Sequence, residues 1–281
     1  MGTISKDNIK KWIIPQLSEG KRGQKTSVCL VELVEAILYR LKTGTQWREL
    51  PVKQFFSLKE SGKILSWNSV FHHFNKWSKD GSWEKVWLNF LKSNRQYLDM
   101  SSTQMDGSHT PAKRGGEAVA YQNRKSCKTT NALFIADNQG VILAMSTPQA
   151  GNHHDLFEIK TLFNELCDLL KMAEIDLDGL FLNADPGFDS KALKELCEAK
   201  GIMLNVKPNK RNKKDKKTEV DDDDSYIFDE DLYKDRSVIE HSNAWIDAFK
   251  TLLVRFETSL KNWISFHFLA FFVIFIRKIK L

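Results

Sequence analysis

Three acidic side chains stand where a purely structural role is hard to give them together. Asp106 lies in Gln104-Met105-Asp106-Gly107-Ser108-His109, at the end of a short strand candidate spanning Thr103 to Asp106. Asp185 lies in Asn183-Ala184-Asp185-Pro186-Gly187-Phe188-Asp189, where the apolar strand Leu180 to Ala184 stops. Glu240 falls in Arg236-Ser237-Val238-Ile239-Glu240-His241-Ser242-Asn243, which reads as helix. Carboxylates at strand ends belong at the rim of a sheet, where a site forms without burying charge unpaired. Three converging carboxylates repel one another and call for a cation. Hard oxygen ligands without cysteine suit Mg²⁺ or Mn²⁺. Two such ions about 3.5–4 Å apart clamp the attacking and leaving oxygens of a phosphodiester. Taken singly, Asp106 and Asp185 read better as turn residues, since Asp-Gly and Asp-Pro-Gly are common turns. Their combination with Glu240 reverses that.

These acids need a scaffold, and the chain divides in two by pattern. Residues 1–98 read as helical. Ser5 caps a first helix that stops near Pro15, and a longer one runs from Ser27 to Lys42 with Leu30, Val31, Val34, Ile37, Leu38 and Leu41 at helical spacing. Ser66 to Trp77 follows, then a helix capped by Ser82. From residue 99 strands alternate with helices. Asn131 to Ala136 and Val141 to Thr147 flank the polar turn Asp137-Asn138-Gln139-Gly140. Asp155 to Lys171 is an amphipathic helix, and Ser190 to Lys200 separates the strands Leu180 to Ala184 and Ile202 to Val206. A mixed sheet with flanking helices, an α/β domain over 99–281, is expected. The blocks Lys207 to Lys217, basic, and Glu219 to Asp231, acidic, read as one exposed charged loop over 207–231.

Charge and composition narrow the function. The chain of 281 residues carries a net charge of +6, but residues 1–98 hold 17 Lys/Arg against 8 Asp/Glu while 99–281 hold 25 against 28. A basic helical first third suits a helix-turn-helix type of DNA-binding unit, with Ser69, His72 and Lys76 on the exposed side of the Ser66–Trp77 helix. Four scattered cysteines exclude a disulfide scaffold or zinc module and fit a reducing cytoplasm. The apolar stretch Trp263 to Ile276 is shorter than the roughly 20 residues of a membrane span, so a buried helix and no membrane role are expected. His153-His154-Asp155 could be the metal triad of a phosphohydrolase, but Asp155 reads better as the cap of the helix that follows. Asp189 likewise reads as a cap for the helix starting near Ser190. Tyr233 and Arg236 precede Glu240 by two turns and one on a similar helical face, and the planar fork of Arg236 suits a phosphate.

The motifs together resemble the bacterial insertion-sequence transposases of the DDE type, in the insertion-sequence-five group. Asp106-Gly107-Ser108-His109 with Lys113-Arg114-Gly115-Gly116 and Arg124-Lys125 is similar to that family's first acidic motif. Gly151-Asn152-His153-His154-Asp155 resembles the segment after its third strand, Asn183 to Asp189 its second acidic motif, and Tyr233-x-x-Arg236-x-x-x-Glu240 its third. The resemblance covers nearly the whole chain. It implies a ribonuclease-H-like fold preceded by an all-helical DNA-binding domain. Asp106, Asp185 and Glu240 would then hold the metal and carry catalysis, and Tyr233, Arg236, Lys113, Arg114, Arg124, Lys125 and Lys128 would contact DNA. It further implies a cytoplasmic, nucleoid-associated protein that binds terminal inverted repeats as a homodimer on paired ends, cleaves there with two Mg²⁺ or Mn²⁺ ions, and joins the 3′-hydroxyl to target DNA. One position departs from the family. Where Lys or Arg usually stands seven residues after the glutamate, this chain has Asp247, with Lys250 roughly 80° off that face. Two readings follow: an end held instead by Arg236 or Lys128, or a non-catalytic transposase-derived DNA-binding protein.

Overall fold

A computed structural model describes residues 4–19, 28–56, 65–209 and 228–280. The basic loop Lys21 to Lys25 and the greater part of the charged loop, 210–227, lie outside the described residues.

The first third is helical, as its periodicity requires. Ser5 accepts from the Asn8 amide and opens one irregular helix that passes from α to π to 3-10 geometry before Leu17. Helix α1, Leu30–Thr43, ends at Gly44, whose φ of +69° is a left-handed closure that costs glycine nothing. Helix α2, Trp67–Lys79, is capped by the Ser66 hydroxyl accepting from the Ser69 amide. Helix α3, Ser82–Ser93, differs from expectation at its start: left-handed Gly81 occupies the cap position, and the Ser82 hydroxyl donates instead to Asp80 at 2.6 Å.

The sheet then forms from β1 (Thr103–Pro111), β2 (Ala120–Gln122), β3 (Cys127–Asp137), β4 (Ile142–Met145), β5 (Gln149–Ala150), and, beyond helix α4 (Ile159–Met172), β6 (Phe181–Ala184). Helix α5 (Lys191–Glu198) leads to β7 (Met203–Val206). Strand β3 pairs antiparallel with both β4 and β1, while β6 lies parallel to β1 and β7 parallel to β6. The order β4-β3-β1-β6-β7, antiparallel on one side of β1 and parallel on the other, is that of a ribonuclease-H-like fold. Strand β1 runs five residues past Asp106, the point where sequence reading ended it. Its continuous partner β3 holds it through Pro111, although residues 106–111 are half-buried and polar. The turn after β3 is closed by Asp137, whose buried carboxylate accepts from the amides of Asp99, Gln139 and Val141.

The chain returns through α6 (Glu230–Tyr233), a 3-10 turn at Lys234–Ser237, α7 (Val238–Asp247), α8 (Lys250–Leu253) and α9 (Leu260–Lys278). Helix α9 is long and apolar enough to cross a membrane by length and composition, yet here most of it is inside. Phe266 stacks on Phe74 of α2 at 4.3 Å between ring centres, Phe272 and Phe275 pack on Phe90 of α3, and His267 and Phe271 face Phe134 of β3. One apolar core thus runs from the first helices through α9 into the sheet.

Two caps read from local sequence are corrected. Helix α4 starts four residues beyond Asp155, after Glu158, so Asp155 caps nothing and its carboxylate accepts from Asn131 at 2.7 Å. Helix α5 is capped by Ser190, while Asp189 accepts from the Asn209 amide and pairs with Lys194.

Candidate active site

The parallel pairing of β1 with β6 covers Thr103 to Met105 against Leu182 to Ala184 and then stops. Asp106 and Asp185 are the first residues past that last pair on their two strands. Beyond them β1 has β3 as its one strand partner among the described residues, so the two acids stand at a notch in the sheet. Sheet geometry brings together side chains that are 79 positions apart in sequence.

Burial pushes the Asp106 carboxyl up to about 6, and the negative charges of Asp155 and Asp185 push the same way. The Gly107 amide and the Arg236 guanidinium oppose that shift. Asp185 is half-buried and uses one oxygen to accept from the Gly187 amide at 2.6 Å, so the turn role read for it locally is real and leaves its second oxygen for other work. Arg236 sits 3.9 Å from Glu240, and its guanidinium lies over the Tyr233 ring, 5.9 Å from the ring centre. Desolvation, with Asp185 and Asp106 nearby, raises the Tyr233 pKa against the pull of Arg236. The Glu240 side chain is 67% exposed.

Asp106, Asp185, Tyr233 and Arg236 therefore share one charge environment, and Glu240 joins it through Arg236. Among the described residues, no three His, Cys, Asp or Glu groups stand close enough to hold a metal ion. The donor chemistry nonetheless fits a divalent cation: oxygen ligands only, and a carboxyl raised to about 6 by burial, with Asp155 and Asp185 adding to the shift.

Asp155, read from the sequence as a helix cap, belongs to this neighbourhood. Its Oδ1 is so close to the backbone of Gly107 that a Cβ there would lie 2.3 Å away. The Gly after Asp106 was the available signal, since a glycine inside a strand often marks close approach by another group. The phosphohydrolase triad does not assemble. The His153 ring stacks on Phe157 at 3.6 Å, and His154 Nδ1 accepts from the Leu156 amide.

The expected DNA contacts scatter more widely. Lys113, Arg114, Arg124, Lys125 and Lys128 are all exposed on or beside the β2–β3 hairpin. Lys125 donates to the His109 carbonyl at 2.7 Å, and its charge, with that of Lys250, acts on Asp247. Asp247 is therefore faced by two cations. On α2, His72 is exposed, Ser69 is tied to Ser66, and Lys76 donates to the Ser18 carbonyl at 2.9 Å.

Residues 8–87 match the family described as "Putative transposase of IS4/5 family", and residues 97–275 match the one described as "Transposase DDE domain". No curated protein matches the sequence. Among solved structures, the chain is similar to piggyBac transposase in a synaptic complex with hairpin DNA, at 12% identity and a TM-score of 0.46. That alignment covers 89% of this chain and 65% of the piggyBac chain, so the protein spans less than two thirds of that relative. It is also similar to the Mos1 Strand Transfer Complex, at 12% identity, TM-score 0.28, covering 91% of this chain and 78% of that one. A Mos1 mariner paired end complex with Mn aligns at 10% identity and TM-score 0.27, over 95% and 83% of the two chains.

Proposed function

Because the chain belongs to the family of transposases with a DDE domain, we propose that it binds the terminal inverted repeats of an insertion sequence, cuts there, and joins the freed 3′-hydroxyl to target DNA. The observation that carries this reading is the convergence of Asp106 and Asp185 at the notch between β1 and β6, with Arg236 among them.

Asp106, Asp185 and Glu240 are the residues that would hold Mg²⁺ or Mn²⁺. Two such ions, if bound there, would lower the pKa of the attacking water or 3′-hydroxyl and would stabilise the departing oxygen. Arg236 presents a planar fork to the phosphate beside the scissile bond, and the Tyr233 ring beneath it fixes the direction of that fork. Lys113, Arg114, Arg124, Lys125 and Lys128 offer the hairpin face to the phosphate backbone, setting register without reading sequence. Paired DNA ends imply a homodimer as the working form, acting on nucleoid DNA.

The test is metal-dependent cleavage and strand joining on the repeats that flank the element, with wild type beside Asp185→Asn. Wild type should cut and join, and the variant should lose both while binding the same ends. Equal cleavage by the two proteins would sink the mechanism. Firm end-binding with no cleavage by either would favour a transposase-derived protein that only binds DNA.

A further inference from the structure

The acids stand over a row of buried carboxamides. Gln104 of β1 pairs with Asn183 of β6, which pairs with Asn205 of β7, so three amides lie level across three adjacent strands. Side chains two apart along a strand share a face. Gln104 therefore lies on the face of Asp106, and Asn183 on the face of Asp185. All three amides are at most 1% exposed, and Asn183 and Asn205 lie in strands that are otherwise apolar.

Gln104 Nε2 donates to the Ser102 hydroxyl at 2.8 Å, whereas Asn183 and Asn205 find partners on the returning chain. Asn205 Nδ2 donates to Asn183 Oδ1 at 2.8 Å and to the Asp229 carbonyl at 2.9 Å, and Asn205 Oδ1 accepts from the Asp229 amide at 3.0 Å. Asn183 Nδ2 donates to the Leu232 carbonyl at 2.9 Å. Asp229 in turn caps helix α6 by accepting from the Leu232 amide. The residues held so firmly are those immediately before Tyr233, Arg236 and Glu240.

We infer that Asn183 and Asn205 are positioning residues: a two-amide bracket that fixes the height and pitch of residues 229–240 over Asp106 and Asp185, and so completes the site. This rests on the transposase reading for its consequence, but its geometry is independent of it. The bracket does not touch DNA. It acts through Arg236 and Glu240, whose helical segment has no other described side-chain hydrogen bond to the β6–β7 edge. Removing Asn205 takes the partner from the buried Asn183 oxygen and from the half-buried Asp229 amide, while the Asp229 carbonyl keeps only the Tyr233 amide, so the segment loosens toward water.

The experiment uses the full chain with Asn205→Leu and, where that variant folds poorly, Asn205→Thr, which keeps one hydroxyl donor. Hydrogen exchange comes first. Amides 229–240 should exchange at least about tenfold faster while β1 and β3 keep their protection. On end DNA at saturating metal, binding should stay within about twofold. Single-turnover cleavage should fall at least about tenfold, because catalytic groups misplaced by an ångström cost that much or more. The metal concentration for half-maximal cleavage should rise as Glu240 is displaced, a shift that simple loss of folded protein does not produce. Unchanged exchange over 229–240, or unchanged cleavage in a variant with faster exchange there, overturns the inference. A wild type that never cleaves would refute the transposase reading, and the exchange experiment would still judge the bracket.

Discussion

At Gly107 a missing side chain shapes the site. The Asp155 carboxylate lies where a Cβ would point, so any larger residue must push Asp155 off Asn131 or bend β1 beside Asp106. Gly107→Ala should therefore lower cleavage at least about tenfold while the far-ultraviolet circular dichroism stays that of wild type. Activity within twofold of wild type would show that Asp155 has room to yield. The same locality explains what could be read in advance. Asp185 stood out because an apolar strand stops at it, and Asp106 because it closes a strand candidate just before Gly107. Asp155 did not, because its partner Asn131 lies 24 positions away and a rule for helix caps sees only the next turn. The Asn183–Asn205 pair escaped for a similar reason, since pairing across a parallel edge leaves no mark on either strand alone.

Among elements, the join between α1 and the segment after α8 rests on a buried ion pair. Arg40 of α1 bonds Glu257 at 3.1 Å and Thr251 at 2.6 Å, with Trp47 donating to the same Glu257 oxygen. Burial lowers the Arg40 pKa and Glu257 opposes this. Removing one partner leaves a buried charge alone, so Glu257→Ala should destabilise by about 3–5 kcal/mol, read by urea unfolding. Arg40→Met with Glu257→Leu should recover much of that loss, and no recovery would mean that the pair organises its surroundings beyond its charge. Helix α9 adds a pH dependence. His267 is buried, its Nδ1 donates to the Trp263 carbonyl, and desolvation, with Arg255 nearby, depresses its pKa to about 4. The unfolded chain takes up that proton below about 6.5. Stability supplied by neutral His267 is complete above that pH and lost as pH falls toward 4. The wild-type melting temperature should fall over this interval more steeply than that of His267→Met, and parallel profiles would refute the assignment. Helices with strong periodicity were legible to within a few residues. The length of β1 was not, because its outer half is polar and held by β3 rather than by its own pattern.

For the whole molecule, the question is whether the basic helical third stands apart from the chemistry. Its charge and pattern set residues 1–98 apart in the sequence, and their packing does not. Trp87 donates to the Leu143 carbonyl of β4, Phe74 stacks on Phe266, and Phe90 packs between Phe272 and Phe275. The last helix of the chain fills the core of its first helices. No local pattern announces such a contact, since an apolar helix reads the same whichever partner covers it. A consequence follows for dissection. Residues 1–98 alone would expose Phe74, Trp87 and Phe90, an apolar surface that an isolated small domain rarely tolerates. Expressed alone, that fragment should aggregate or show the narrow amide dispersion of an unfolded chain by NMR. Co-expressed with residues 99–281, it should be recovered in a soluble complex with restored dispersion. A fragment 1–98 that melts cooperatively by itself would separate DNA recognition from the catalytic scaffold. Failure of the fragment with rescue by its complement would mean that end-binding helices and acidic site move as one body. Force or distortion applied at the repeat would then reach Asp106 and Asp185 through α9 and the sheet, without a flexible link between them.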